Sequence, residues 1–316
     1  MGENIVLRFI DLFAGVGGFH KALEKYATCV MASEYDKDAR KTYMANNIIS
    51  EKIFQGDITL INYNLIPDFD ILCGGFPCQP FSLAGKQEGF EHATQGNLFF
   101  NIMEIVNLKK PSVIFLENVK NLLSHDEGKT FITIKKYLED AGYFIHYKIL
   151  NSMKHANIPQ NRERIFIVAF KNKKQYDSFQ FPEEIPLTLS FRDMLEKDVE
   201  EKYFQTNMES PSVVKMVAEM NDENVLYQYR RYYMRRIESG VCPTLTANMG
   251  TGGHNVPLLL DKGRVRKLTP RECFNLQGYS HDFKLIGSNS ALYKQAGNTV
   301  CTPLVERIAK NIIKTF

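Results

Sequence analysis

The chain has 316 residues and a formal net charge of +3; 44% of its residues are hydrophobic and 24% are charged. These values are ordinary for globular proteins, so they argue against a disordered chain and allow one large domain or two. No run of about 18 apolar residues occurs and no cysteine pair has C-x-x-C spacing, so we expect no membrane-spanning helix and no zinc site.

The first predicted elements are a strand, a glycine-rich loop and a helix. A buried strand is expected over 7–13, followed by Ala14-Gly15-Val16-Gly17-Gly18 and a helix over 19–26. Glycines let the backbone approach a ligand, and the free N–H groups at a helix N-terminus attract anions. This order is typical of nucleotide-binding folds. His20 replaces the third glycine of a dinucleotide fingerprint, which weakens the interpretation as an NAD oxidoreductase.

Acidic residues follow three of the predicted strands. Glu34, with Tyr35 beside it, follows the second strand, Asp57 follows a short third strand, and Glu117 follows a strand at 113–116. Open α/β sheets bind ligands at the carboxyl ends of their strands, where an acidic group commonly holds ribose hydroxyls. Any one of these residues alone could be a solvated strand end or a turn residue. Their repeated position predicts a ligand site.

A loop with one cysteine follows the fourth predicted strand, expected over 69–73. Its sequence is Gly74-Gly75-Phe76-Pro77-Cys78-Gln79-Pro80-Phe81-Ser82. Prolines restrict their own backbone and that of the preceding residue, so such a turn could fix the Cys78 sulfur and leave one side open. A lone cysteine is more often a small core residue, which is the role expected for Cys73. The run after the loop, to residue 96, is long enough to be a lid.

Helices and strands continue to alternate through the first half of the chain. Helices are expected over 97–106 and 128–141, and strands over 144–150 and 165–170. The basic pair Arg162 and Arg164 precedes the last of these strands and could equally be surface charge. This alternation predicts an α/β fold with a mostly parallel sheet.

In this order, the motifs resemble those of the bacterial DNA (cytosine-5) methyltransferases, which use S-adenosylmethionine. The matching segments, which cover most of the chain except roughly 172–240, are Asp11-Leu12-Phe13-Ala14-Gly15-Val16-Gly17-Gly18-Phe19, Gly56-Asp57-Ile58, Gly75-Phe76-Pro77-Cys78-Gln79-Pro80-Phe81-Ser82, Glu117-Asn118-Val119, Gln160-Asn161-Arg162-Glu163-Arg164, Arg266-Lys267-Leu268-Thr269-Pro270-Arg271-Glu272 and Gln295-Ala296-Gly297-Asn298-Thr299-Val300.

The resemblance implies a Rossmann-like class I methyltransferase fold, with a doubly wound, mostly parallel sheet and a second, smaller target-recognition domain. We therefore expect a catalytic and cofactor-binding domain over 1–171 and a DNA-reading domain over 172–265. In the C-terminal segment, 266–316, the last helix is expected to return to the catalytic domain.

The resemblance also implies a cofactor site for S-adenosylmethionine, with S-adenosylhomocysteine as product and no metal. Glu34 would bind the ribose, Tyr35 and Ile58 would face the adenine, and Asp57 would bind its amine. The full set of implied cofactor residues is Phe13, Ala14, Gly15, Gly17, Gly18, Glu34, Tyr35, Asp57, Ile58, Pro77, Asn298 and Thr299.

In the implied reaction, Cys78 is the nucleophile. Its thiolate would add to carbon 6 of cytosine and make carbon 5 nucleophilic. Glu117 would bind N3 and the exocyclic amine, Arg164 would bind O2, and Arg162 would support the same region. No motif residue is an obvious base for the carbon-5 proton, so water is expected to take it. The target base would be flipped out of the duplex, at a cost of a few kcal/mol.

The segment Tyr227–Arg236 is expected to read DNA, because it carries four tyrosines and four arginines in ten residues. Arginine binds guanine or phosphate, and tyrosine can stack on bases; an amphipathic surface strand is the alternative. The expected DNA contacts are Ser82, Lys86, Arg230, Arg231, Arg235, Thr244, Gly252 and Gly253.

The sequence thus predicts a sequence-specific DNA (cytosine-5) methyltransferase acting on duplex DNA with a short target site. A role in a restriction–modification system, a monomeric state and a cytoplasmic, nucleoid-associated location are expected with it. A tRNA cytosine-5 methyltransferase is the main alternative, and a DNA-binding repressor without catalysis is another. The intact Cys78, Glu117 and Arg164 argue against a repressor.

Overall fold

The computed structural model describes residues 6–77, 98–204, 217–230, 233–251 and 255–316. The chain divides into two compact units. The first consists of Met1–Leu150, Glu163–Pro182 and Val305–Phe316, and the second of Asn151–Arg162 and Glu183–Leu304. The predicted limits divide the chain differently, since 151–162 and 266–304 both lie within the second unit.

A seven-stranded sheet forms the centre of the first unit. Its strands, numbered along the chain, are β1 (Arg8–Leu12), β2 (Thr28–Ser33), β3 (Phe54–Gln55), β4 (Ile71–Gly75), β5 (Val113–Val119), β6 (Phe144–Asn151) and β8 (Glu163–Phe170). They lie in the order β3-β2-β1-β4-β5-β8-β6. The five strands from β3 to β5 are parallel, and β8 runs antiparallel to β5. This is the predicted doubly wound, mostly parallel arrangement.

The inner strands are almost continuously apolar, as expected for strands covered on both faces. Residues 9–12 of β1 and 165–170 of β8 are all buried. Helices line the sheet: α1 (Gly18–Leu23), α2 (Lys37–Asn46), α3 (Leu98–Lys109), α4 (Lys129–Asp140), α6 (Lys173–Ser178) and most of α9 (Thr302–Ile313). Asp36 caps α2 by accepting from the N–H groups of Asp38 and Ala39, which confirms the predicted cap.

The second unit is built around a smaller antiparallel sheet. Its strands are β9 (Tyr227–Arg230), β10 (Tyr233–Arg236), β12 (Leu258–Asp261) and β13 (Arg264–Lys267), in the order β10-β9-β12-β13. The short strands β7 (Gln160–Asn161) and β11 (Cys242–Pro243) pair in parallel. The unit also contains helices α5 (Ser152–His155), α7 (Pro270–Asn275) and α8 (Asn289–Asn298).

A buried ion pair joins β13 to α7 in this unit. Arg266 Nη1 and Nη2 donate to the two carboxylate oxygens of Glu272, both at 2.9 Å. Glu272 also accepts from the Thr269 N–H and completes a capping box at the start of α7. Neither charged side chain is exposed.

No helix in the described ranges is long and apolar enough to cross a membrane.

Candidate active site and DNA-reading surface

The glycine loop after β1 has a backbone that only small residues adopt easily. Gly15 and Gly17 have φ angles of 55° and 92°, in the left-handed region. A Cβ on Gly17 would lie 2.6 Å from Asn47 Nδ2, whereas a Cβ on Gly15 would meet nothing within 4 Å. Gly17 is therefore required by packing, while the open side of Gly15 leaves room for a ligand. Phe13, at φ 54°, begins this bend.

The loop is tied to the end of β2 through Glu34. The Gly15 N–H donates to Glu34 Oε2 at 2.7 Å, and the Asp36 N–H donates to Oε1 at 2.7 Å. These two bonds fix the carboxylate, yet each oxygen has a second lone pair that can accept from a hydroxyl. Tyr35, next in the chain, is 77% exposed and presents a free ring face.

Asp57 lies just beyond β3. Its Oδ1 accepts from the Thr59 N–H at 2.9 Å and from the Thr59 hydroxyl at 2.8 Å. These bonds hold the carboxylate at the carboxyl end of the strand and leave acceptor capacity on Oδ2. Ile58, the next residue, is buried in the hydrophobic core of the first unit, so its side chain packs beneath this end of the sheet.

The structure brings Glu117 and Arg164 together in one ion pair. Glu117 Oε1 lies 3.0 Å from Arg164 Nε, and the two side chains are 10% and 15% exposed. Because β8 is antiparallel to β5, its first residues lie beside the last residues of β5, and Arg164 pairs with Val119. Two residues distant in sequence thereby meet at the same edge of the sheet.

The end of β4 lies against this pair. Gly75 pairs with Glu117 in the register, and a Cβ on Gly75 would lie 3.3 Å from Glu117 Oε2. Asn118 Nδ2 donates to the Phe76 carbonyl at 2.9 Å and holds the start of the following loop. Pro77 is exposed there. The predicted residues Cys78, Ser82, Lys86, Arg231, Gly252 and Gly253 lie outside the described residues.

The described cysteines offer no competing nucleophile. Burial raises the pKa of the Cys29 thiol to about 12 and raises those of the other four. A thiol with a raised pKa is a poor nucleophile at neutral pH. The residues concerned, all within the described ranges, are Cys29, Cys73, Cys242, Cys273 and Cys301. The predicted core role of Cys73 is confirmed, since it is fully buried in β4.

Arg162 has a different position from that of Arg164. It is 2% exposed, and its guanidinium donates to the carbonyls of Leu245 at 2.8 Å, Gly297 at 3.1 Å and Thr299 at 2.7 Å. The guanidinium thus joins two distant segments of the second unit through their backbones. This geometry favours a positioning role over the predicted catalytic one.

The predicted cofactor residues Asn298 and Thr299 lie at the end of α8. Thr299 is buried, with Oγ1 2.5 Å from the Tyr279 hydroxyl, whereas Asn298 is exposed. A Cβ on the preceding Gly297 would lie 2.1 Å from the backbone carbon of Thr246. The turn therefore has one tightly packed geometry, with Asn298 as its exposed polar group.

An open cavity of about 550 Å³ lies in the second unit, at the β9–β10 hairpin. It is lined by Gln228, Arg230, Arg235 and Thr244 among others. Arg235 pairs with Gln228 across the two strands, and Arg230 Nη2 donates to Gln228 Oε1 at 3.1 Å. Gln228 is not among the residues predicted to read DNA. Period-two alternation would have found it, because residues 228 and 230 share one face of a strand.

Arg236 is distinguished from its neighbours by an acidic partner. Its guanidinium forms an ion pair with Asp222, and Asp222 also accepts from the Asn224 N–H at 2.8 Å. This pairing directs the Arg236 guanidinium toward Asp222, although Arg236 is 56% exposed and also lines the cavity. Arg235, on the opposite face of the same strand, is therefore the better candidate for contact with a polyanion.

A sequence profile of the family described as C-5 cytosine-specific DNA methylase matches residues 7–314. The chain belongs to this family. It is 49% identical to the Type II methyltransferase M.Bsp6I of Bacillus sp. (strain RFL6), over 98% of this chain and 100% of that protein. It is 42% identical to the Type II methyltransferase M.HhaI of Haemophilus parahaemolyticus, over 97% of this chain and 94% of that protein.

Two solved structures share the fold of this chain. The Dnmt2 methyltransferase of S. pombe superposes with a TM-score of 0.70 at 20% identity, covering 98% of both chains. A putative DNA modification methyltransferase from an E. coli prophage gives a TM-score of 0.69 at 18% identity, covering 98% of this chain and 99% of that one. At these identities the likeness shows the fold, which is that of class I methyltransferases.

Membership makes the chain a DNA cytosine-5 methyltransferase and favours DNA over the alternative tRNA substrate. It also implies S-adenosylmethionine as the methyl donor. The first unit fits that group, because two oriented carboxylates can accept from hydroxyls and an amine and Tyr35 presents a ring face. The space beside Gly15, where a Cβ would meet nothing within 4 Å, leaves room for the cofactor near these groups.

Proposed function

We propose that this chain is the sequence-specific modification enzyme of a restriction–modification system, methylating carbon 5 of a cytosine flipped out of duplex DNA. The observation that carries the proposal is the Glu117–Arg164 pair beside the end of β4. It supports the proposal because an acceptor of amine protons and a donor for a carbonyl oxygen lie beside Gly75, three residues before Cys78.

The roles of the catalytic residues follow from cytosine chemistry. The thiolate of Cys78 adds to carbon 6, and the electron pair moves to carbon 5. Glu117 binds the N3 and amine edge, while Arg164 stabilises negative charge at O2. After methylation of carbon 5, water removes its proton, the Cys78 bond breaks and the 5,6 double bond returns.

The Glu117–Arg164 ion pair has a consequence for the order of events. In this pair Glu117 Oε1 contacts Arg164 Nε at 3.0 Å, whereas the proposed roles need Glu117 at the N3 and amine edge of the base and Arg164 at O2. A hydrogen bond to an unprotonated N3 requires a proton on Glu117. Entry of the base would therefore separate the two side chains, with Arg164 turning toward O2 and Glu117 taking a proton from solvent to donate to N3.

The proposed cofactor site uses residues of the first unit for the nucleoside part of S-adenosylmethionine. Glu34 accepts from the ribose hydroxyls, Asp57 accepts from the adenine amine, and Tyr35 covers one face of the ring. When bound, S-adenosylmethionine supplies an electrophilic methyl group. Phe13, Ala14, Gly15, Gly17, Gly18, Ile58, Pro77, Asn298 and Thr299 complete the proposed set.

The proposed DNA-reading surface is the outer face of β9–β10, with Gln228, Arg230 and Arg235, together with Thr244. Arginine and glutamine are the side chains that bind guanine and adenine in the major groove. Thr244 Oγ1 donates to the Asn161 carbonyl at 2.6 Å, which orients this threonine. Ser82, Lys86, Arg231, Gly252 and Gly253 are proposed as further DNA contacts. We also propose that the enzyme acts as a cytoplasmic monomer associated with the nucleoid, and that it needs no metal.

Bisulfite sequencing of DNA from cells that express the protein tests the proposal. We expect one short sequence to be protected at one cytosine, and no protection in cells that express Cys78→Ser. A duplex with 5-fluorocytosine at that position should form an adduct with the wild-type protein that survives denaturation. Methylation of tRNA without methylation of duplex DNA would contradict the proposal.

A further inference from the structure

Arg40, in the first half of α2, contacts the ends of two strands. Its Nη1 donates to the Glu34 carbonyl at 3.2 Å and to the Gln55 carbonyl, and its Nη2 donates to the Phe54 carbonyl at 3.1 Å. Glu34 follows β2, whereas Phe54 and Gln55 constitute β3. One side chain therefore connects the end of β2 to β3, although Glu34 and Phe54 are 20 residues apart in the sequence.

Because β3 is short, this tie adds to a small number of backbone bonds. β3 has two residues and lies at the edge of the sheet. Its backbone bonds to the end of β2 run from the Ala32 N–H to the Ile53 carbonyl at 3.0 Å and from the Glu34 N–H to the Gln55 carbonyl at 3.2 Å. The Arg40 guanidinium carbon also lies 4.4 Å from the centre of the Phe54 ring, where a cation–π attraction adds to the hydrogen bonds. The position of β3 thus rests partly on a side chain of α2.

The residues beyond these two strand ends are the proposed nucleoside ligands. Glu34 is itself bonded through its carbonyl, and Asp57 is separated from Gln55 by Gly56 alone. A Cβ on Gly56 would lie 3.9 Å from Arg40 Nη1, so the guanidinium also packs against the turn that leads to Asp57. A shift of β3 relative to β2 would change the distance between the two carboxylates.

We propose that Arg40 is a positioning residue for S-adenosylmethionine, which fixes the spacing between Glu34 and Asp57. The inference rests on the proposed function, because it takes these carboxylates as the ligands of the ribose and the adenine amine. Holding two ligand groups at the required spacing before binding removes an ordering cost from the binding free energy. Arg40 itself touches carbonyl oxygens and a ring, and acts on the cofactor through them.

The planar guanidinium is essential to this role. Its donors point in fixed directions and can reach two strand ends at once. A lysine at position 40 would keep the charge but has one compact ammonium group, and a methionine would keep the length without any donor. Arg40→Lys and Arg40→Met therefore separate the donor geometry from charge and packing. Lys41→Gln is the matched control, because the exposed Lys41 pairs with Asp38 on the same helix.

Titration calorimetry with S-adenosylhomocysteine tests the inference on the full chain. We expect Kd to rise about tenfold in Arg40→Met, to rise less in Arg40→Lys, and to stay at the wild-type value in Lys41→Gln. Steady-state kinetics should show a matching rise in KM for S-adenosylmethionine, with kcat and KM for DNA within twofold of wild type. A purely structural role would lower the Tm of Arg40→Met and move no Kd.

The outcomes separate the inference from the proposed function. Equal Kd values in wild type, Arg40→Lys and Arg40→Met would overturn the role of Arg40 and leave the enzyme assignment intact. If Arg40→Met does not fold, a wild-type Kd in Arg40→Lys is the overturning result. Wild-type protein that binds S-adenosylhomocysteine but methylates no cytosine would contradict the proposed function, and the comparison of Kd values would still decide the role of Arg40.

Discussion

The first unit holds its proposed ligand groups with backbone bonds, whereas the second unit presents its proposed DNA-reading groups on side chains held by other side chains. Glu34 accepts from two N–H groups, and Asp57 from one N–H and a hydroxyl. Arg230, by contrast, donates from its guanidinium to the Gln228 side chain. Methyl transfer needs atoms at fixed distances, while groove contacts benefit from long side chains that adjust to the DNA.

Behind its proposed reading surface, the second unit is connected by buried arginines. Arg162 joins distant backbone segments, and Arg266 is buried against Glu272. The long side chains of the proposed DNA-reading surface thus extend from a backbone that these buried contacts hold in place. The four predictions below separate the fixed groups from the adjustable ones, in order of decreasing effect.

Loss of the Glu117 carboxylate should have the largest effect. In Glu117→Gln we expect kcat to fall about 1,000-fold, the middle of the range for a positioned acid or base. DNA affinity, measured by fluorescence anisotropy, should stay within about threefold of wild type. Glu163→Gln is the control, because Glu163 is adjacent to Arg164 and pairs with the exposed Lys120. A kcat for Glu117→Gln within tenfold of the control would remove Glu117 from the catalytic set.

The buried ion pair of the second unit should be the next most sensitive feature. Glu272→Gln removes the carboxylate that Arg266 binds through Nη1 and Nη2, while Arg266 Nε keeps its contact with Asp261 Oδ2 at 2.6 Å. We expect a loss of about 2.5 kcal/mol in the free energy of unfolding, as for charged hydrogen bonds broken in a buried site. Urea unfolding followed by circular dichroism measures this. Arg264, two residues away on β13, pairs with Glu201 at the surface, so Glu201→Gln should cost less than about 1 kcal/mol. Similar losses of unfolding free energy in both variants would show that the buried pair contributes no more to stability than the surface pair.

Two neighbouring arginines of β10 should differ in their effect on DNA. Removing the outward-facing Arg235 should lower kcat/KM for the target duplex about 30-fold, the value of one good base contact. Arg236→Gln should change it by less than about threefold, because Arg236 is held by Asp222. Methylation rates on the target duplex and on single-mismatch duplexes measure both. An equal loss of kcat/KM in the two variants would contradict the inference that Arg235 contacts DNA and Arg236 does not.

The smallest effect concerns the buried contact between His20 and Tyr43. His20 is buried in α1, with Nδ1 2.6 Å from the Tyr43 hydroxyl, and burial lowers its pKa to about 4. The unfolded chain binds this proton below about pH 6.5 and the folded chain does not, so stability falls as the pH drops through this window. At pH 5.5 the loss is about 1.4 kcal/mol.

The His20→Gln variant isolates this proton, since glutamine can still hydrogen-bond Tyr43. Its free energy of unfolding should change less than that of the wild type between pH 7.5 and 5.5. Burial raises the pKa of Asp11, and this acts in the opposite direction because the folded chain retains a proton that the unfolded chain loses. Asp11 is present in both proteins and cancels in the difference. Parallel pH curves would show that His20 does not carry the effect.

Local patterns in the sequence determined the elements and the family. Apolar runs predicted the strands of the main sheet, and Asp36 predicted the start of α2. The strand predicted over 113–116 extends to Val119, because Glu117 and Asn118 pair with β8. Periodicity within one segment shows which residues can be buried, but it does not show which strand lies alongside.

Tertiary structure alone decided the partners of the charged groups. Arg162 and Arg164 are two residues apart, yet the first binds backbone carbonyls and the second meets Glu117. No local pattern pointed to Arg40 either. These contacts follow from the order of the strands and the reversed direction of β8, which bring residues distant in sequence to one edge. The motifs in the sequence indicated the family and its chemistry, and the packing of distant segments determined which side chains meet at the proposed site.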